Sequence, residues 1–137
     1  MIRRFLWLAT TCIVIAPLGR ALAHHSFAAE YDAQKPITLT GAVTKVEWMN
    51  PHARFYLDVK DDAGQVTNWE FELGSPNGLM RRGWTRNSMK IGDVITVNGS
   101  LAKDGSKLAN ARTVKLADGR ALFAGSASET GDAKAGN

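Results

Sequence analysis

Two runs of strict alternation, set around a Pro-marked turn, constrain this chain more than any other feature. Ala53, Phe55, Leu57 and Val59 fall in one phase, with Arg54, Tyr56, Asp58 and Lys60 in the other. In the next run Thr67, Trp69, Phe71 and Leu73 share a face, opposite Asn68, Glu70 and Glu72. A period of two is the repeat of a strand with one buried face, which a helix does not present. Asp61, Asp62, Ala63 and Gly64 make the turn between the runs, where glycine supplies a positive φ. Upstream, Ile37 to Trp48 reads as one long strand. Ile37, Leu39, Gly41 and Val43 keep one phase, whereas Val46 and Trp48 keep the other. A slip of one residue near Thr44 and Lys45 returns both sets to one face, which predicts a bulge and a bend. The stretch Glu47 to Tyr56 then joins this strand to the next through Asn50 and Pro51.

After Leu73 the pattern breaks at Gly74, Ser75 and Pro76. Ser75 suits an N-cap and Pro76 the first helical position, so a short helix is expected up to Arg82, with Leu79 and Met80 inward and Gly83 as its stop. Ile95, Val97 and Leu101 share a phase in a fourth strand, and Leu108 to Leu116 forms a fifth beyond the turn at Asp104 and Gly105. Arg120 to Phe123 can add a short terminal strand. Three strands, a short helix and two strands is the order of a small five-stranded OB-like Greek-key barrel, an all-β fold with its helix between strands 3 and 4. The alternative is an open antiparallel sandwich or half-barrel.

The first 23 residues read as a cleavable signal peptide. Arg3 and Arg4 form a positive n-region, Phe5 to Ala16 an apolar h-region, and Ala21 to Ala23 a small-x-small cleavage site. The expected organisation is a leader over 1–23, an arm over 24–36, the barrel domain over 37–124 and a disordered tail over 125–137, which lacks the apolar residues to order itself. Cleavage after Ala23 leaves 114 of the 137 residues, enough to bury a core. Of the 17 basic residues, Arg3, Arg4 and Arg20 leave with the leader, so 14 face 13 acidic ones. The apparent basicity is a targeting signal rather than a nucleic-acid footprint. The one cysteine, Cys12, also lies in the leader. The mature chain is therefore expected in the periplasm, without disulfide, nucleic-acid partner or membrane span.

Several segments resemble one family. His24, His25, Ser26 and Phe27, then Glu47-Trp48-x-Asn50-Pro51-His52, Trp69-x-Phe71-Glu72, Gly74-Ser75-Pro76 and Gly92-Asp93 are similar to the domain of unknown function 6152 family of small exported bacterial proteins. The resemblance spans nearly the whole mature chain. It implies export and a compact β domain, and it brings no catalytic residue. The expected architecture is also similar to periplasmic copper-handling OB barrels, which hold Cu(I) with a His, Met thioethers and a Trp ring.

Four constellations carry chemistry. His24, at the cleaved terminus, offers an α-amine and an imidazole, His25 adds a second ring, and His52 completes the set if the arm folds back on the first turn. Nitrogen donors of this kind suit Cu(II), Ni(II) or Zn(II), and copper heads the affinity order. Against this, terminal histidines are often merely solvated. A softer variant places Trp48, Met49 and His52 on Cu(I), with Met80 or Met89, although methionine more often fills cores. Glu70 and Glu72 share a strand face, as an acid/base pair requires, but so does any solvated face. Arg81, Arg82, Arg86 and Lys90 surround Trp84, a pattern that suits anionic lipid or an acidic partner, or a helix end with Trp84 packed beneath it. No nucleophile triad or phosphate loop is present, so no enzyme is expected. The reading is an exported binding protein, with copper or another transition metal as ligand. The alternative is a cell-envelope protein-interaction module in which Arg54, Tyr56, Arg81, Arg82 and Trp84 meet a partner.

Overall fold

The computed structural model describes residues 27–126. The leader with Cys12, the histidines His24 and His25, and the tail from residue 127 lie outside the described residues. The fold is mostly β. A helical turn, α1 (Phe27–Glu30), leads into β1 (Tyr31–Glu47), β2 (Arg54–Lys60) and β3 (Val66–Glu72). The short helix α2 (Pro76–Met80) follows, then β4 (Val94–Ala102), β5 (Leu108–Lys115) and β6 (Ala121–Phe123). There are thus six strands rather than five, because the terminal segment pairs with β5 through Val114 and Leu122.

β1 is the longest element because both of its edges are used. It pairs antiparallel with β4 over Pro36 to Ala42 and with β2 over Ala42 to Glu47. The change of partner coincides with a register shift between Val43 and Lys45. That is the expected bulge, and it lets Val46 and Trp48 pack against the same core as Val43. The strand begins at Tyr31, earlier than the expected Ile37, and runs through Asp32 to Lys35. β2 and β3 pair in register, Arg54 with Glu72 and Lys60 with Val66. β3 then pairs parallel with β5, Phe71 opposite Ala109, so the pairings β1–β2–β3–β5–β4–β1 return to their starting strand.

The core is built from the buried face of these strands. Phe55, Leu57, Phe71, Ile95, Val97 and Val114 are all essentially inaccessible. Phe55 and Phe71 are directly paired across the strands, and their rings stack with centroids 5.2 Å apart. Apolar burial of this kind supplies most of the stabilisation, at about 25 cal/mol per Å² removed from water. α2 closes one end by inserting Leu79. Ser75 caps it, its Oγ accepting from the Gly78 amide at 3.2 Å, and Gly83 ends the turn with φ 91°. Met80, expected inward, is 51 % exposed, because five residues form little more than one turn and the buried side of the helix is taken by Pro76 and Leu79. Trp84 is buried beneath this end, its Nε1 donating to the Phe123 carbonyl at 2.8 Å. It is therefore not part of an exposed partner-binding face.

Candidate functional site

The outer face of β1, β2 and β3 carries the polar half of the alternation. Register places Glu47, Arg54 and Glu72 in one row across the three strands, and Lys45, Tyr56 and Glu70 in the next. Opposite charges facing across strands contribute about 0.2–1 kcal/mol per pair. Arg54 spans both rows, its Nη1 donating to Glu70 Oε1 at 2.5 Å and its Nη2 to Glu72 Oε2 at 3.1 Å. Burial opposes its charge, but Glu70 and Glu72 outweigh burial and raise its pKa. Lys45 contacts Glu47 Oε1 at 2.5 Å and lies over the Tyr56 ring, whose hydroxyl donates to Glu47 Oε2. The hydrogen bond from Lys45 holds the Glu47 carboxyl below its usual range.

His52 precedes β2 at the end of the turn, after a cis Asn50–Pro51 peptide. Its Nδ1 lies 2.7 Å from Glu72 Oε1. An ionised carboxylate only accepts, so Nδ1 is the donor; in the neutral ring with this tautomer, Nε2 is the nitrogen that bears the free lone pair. Glu72 is 6 % exposed and has both oxygens engaged, one by His52 and one by Arg54. The His52 side chain remains one-third exposed. A histidine anchored by a carboxylate with its other nitrogen open is the usual preparation of a metal-ligating imidazole.

A second group converges on Glu72 from the arm. Tyr31 is 2 % exposed, and its phenol lies close enough to Glu72 to be coupled to it electrostatically, yet its hydroxyl makes no hydrogen bond of good geometry. Asn110, opposite Glu72 across the parallel pair, is also buried with its Oδ1 unpartnered. The rings of Phe27 and Tyr31 meet at 5.6 Å. Lys103 secures the segment, its amide donating to the Glu30 carbonyl and its Nζ to the Ala28 carbonyl.

Burial, and then the Glu72 carboxylate, push the Tyr31 phenol far above its ordinary value. In alkaline solution the native chain therefore keeps a proton that the unfolded chain has lost. The stability tied to Tyr31 is intact below about pH 10 and falls as pH rises beyond it. Tyr31→Phe is expected to cost little at neutral pH, since the buried hydroxyl is unpaired, and to flatten this alkaline fall. Urea unfolding of both proteins on either side of that pH checks it, and identical slopes would refute it.

Among the described residues, His52 is the only histidine, and no group of three or more His, Cys, Asp or Glu side chains is placed to hold a metal. Trp48 and Met89 line a small apolar cleft with Val46 and Trp84, whereas Met49, Met80 and His52 do not. Glu70 and Glu72 do share a face, and both are bound by Arg54. The link of Asn110 to Glu72 had no signal in the sequence, because it depends on the β3–β5 pairing, and Tyr31 is placed instead by its pairing with Ala102 of β4.

The described chain is thus a mostly β protein whose ion-paired sheet face is linked to its arm through one buried carboxylate. Its sequence matches the family of unknown function DUF6152 over residues 13–111, and the chain belongs to that family. No curated protein and no solved structure matches it.

Proposed function

We propose that this is an exported, periplasmic, OB-like Greek-key barrel that binds a transition metal, copper first, and catalyses no reaction. His52 would supply Nε2, with His24 and His25 adding the α-amine and imidazoles of the mature terminus. The observation that carries this reading is the Glu72 carboxylate, which anchors His52 through Nδ1 and also neighbours Tyr31 of the arm. Three residues span at most about 10 Å, so His24 is tethered within that distance of Phe27. Imidazole and amine nitrogens fit Cu(II), and the metal would join the arm to the first turn. The order of pairings around the sheet supports the OB-like assignment, because strands 1, 2, 3, 5 and 4 form a ring with the helix between strands 3 and 4.

The test is mass spectrometry of the exported protein combined with Cu(II) titration. The mature chain is expected to begin at His24. Glu72→Gln is expected to weaken copper binding about 10- to 100-fold by releasing the His52 ring, and His52→Ala at least as much. A different mature terminus removes the amine chelate, and unchanged affinity in His52→Ala removes His52.

A further inference from the structure

The direction of the strands sorts the surface into two unlike ends. β1, β3 and β5 run in one sense and β2 and β4 in the other. The β1–β2 connection, the α2-bearing connection between β3 and β4, and the β5–β6 turn therefore meet at one end. Among the described residues, four of the five exposed large hydrophobic ones lie in or beside these connections: Met49, Met80, Ile91 and Val94. Ile91 is 74 % exposed. The α2 connection also carries Arg81, Arg82, Arg86 and Lys90, with no acidic residue between Leu73 and Gly92. Arg82 is used internally, donating to the Gly125 carbonyl and covering the Phe123 ring. Among the described residues, the side chains of Arg81, Arg86 and Lys90 have no ion-pair partner. Asp93 and Asp118 also lie at this end, Asp118 paired with Arg120, whereas the opposite end sets Asp61, Asp62 and Asp104 beside Lys103 and Lys107.

We propose that the α2 end docks on an anionic phospholipid surface, with Met49, Met80 and Ile91 entering the headgroup boundary and Arg81, Arg86 and Lys90 on the phosphates. The chemistry of the patch selects this occupant. Its apolar residues are unbranched or aliphatic and project from two connections, Met49 from one and Met80 and Ile91 from the other, without lining the apolar cleft, a form that suits a surface able to yield. Long cationic stems beside them lie along apolar surface while their heads reach phosphate. A cation near an anionic bilayer strengthens binding about fivefold, and the attraction fades with salt. No helix among the described residues is long and apolar enough to cross a membrane, so the contact is peripheral.

The test is co-sedimentation of the exported protein with vesicles of phosphatidylcholine alone or mixed with phosphatidylglycerol. Binding is expected to the mixed vesicles and to weaken as salt rises. Changing Arg81, Arg86 and Lys90 together to Glu is expected to lower it at least about a hundredfold. Ile91→Ser is expected to lower it about tenfold while leaving the salt dependence in place. Both variants change exposed residues, and circular dichroism checks their folding. Arg86→Ala, expected to lose about fivefold, replaces the triple variant if that fails to fold. Equal binding to both vesicle types overturns the proposal, as does no binding to either, or a charge-reversed protein that binds like the original. Capture of an acidic protein without vesicle binding also overturns it.

Discussion

Gly99→Ala is expected to destabilise the protein by about 3 kcal/mol or more, a fall of about 12 °C or more in Tm. Gly99 sits at the register shift where β4 changes its pairing with β5. A Cβ at this position would stand 2.1 Å from the Asn110 carbonyl oxygen and 3.0 Å from its carbon. Both atoms are backbone, so no side chain can rotate away. Relief would require the two strands to part, breaking the pairing on either side. Gly105→Ala is the matched control. That glycine has φ 80°, and nothing lies within 4 Å of an added Cβ. It should cost only about 1–2 kcal/mol, the left-handed penalty alone. Thermal unfolding of both variants separates the two effects, and a Gly99→Ala protein that melts with the control would show that the close approach does not exist.

Phe71→Ala is expected to cost about 3–5 kcal/mol, read as a lower urea midpoint. Phe71 is wholly buried, stacks on Phe55 and lies 6.5 Å from the Trp69 ring. It pairs with Phe55 on β2 and Ala109 on β5, so it stands where the parallel contact joins the edge strand β3 to β5. Ala109 and Ala111 beside it are too small to fill the space its ring would leave. Phe71→Leu keeps more of the volume and should lose less than half as much. Equal midpoints for Phe71→Ala and the unaltered protein would place the core elsewhere.

Much of this architecture was readable because each strand marks its inner face with large apolar residues. The bulge in β1 was visible for the same reason, since Val43 and Val46 record the change of phase. The shift in β4 left no such mark. It falls at Asn98 and Gly99, which have no apolar side chain to change sides. Ala102 is consequently the buried residue, and Leu101, expected in phase with Ile95 and Val97, is only partly covered. The start of β1 was equally silent, because Asp32 to Lys35 are polar or small and largely exposed.

The candidate site was legible in part. His52 stood out as an isolated histidine at a turn, and Glu70 and Glu72 as carboxylates on one face. Their connection was not legible. It requires the register that sets Arg54 opposite Glu72 and the folding of Tyr31 onto the same carboxylate. His24 and His25 lie outside the described residues, and the approach to His52 that we propose for them rests on the tether at Phe27.

The segment after β5 has a bearing on how the domain is delimited. The family match ends at residue 111, inside β5. Ala124 accepts from the Gly74 amide and donates to the Arg112 carbonyl, Phe123 receives the buried Trp84 indole, and Gly125 receives Arg82. A chain cut at the family boundary would leave that indole and the Gly74 amide without acceptors and bare the Leu122 side of the core. The smallest autonomous folding unit therefore reaches at least to Gly125, past the limit of shared sequence, and a transplant or fusion junction belongs beyond it.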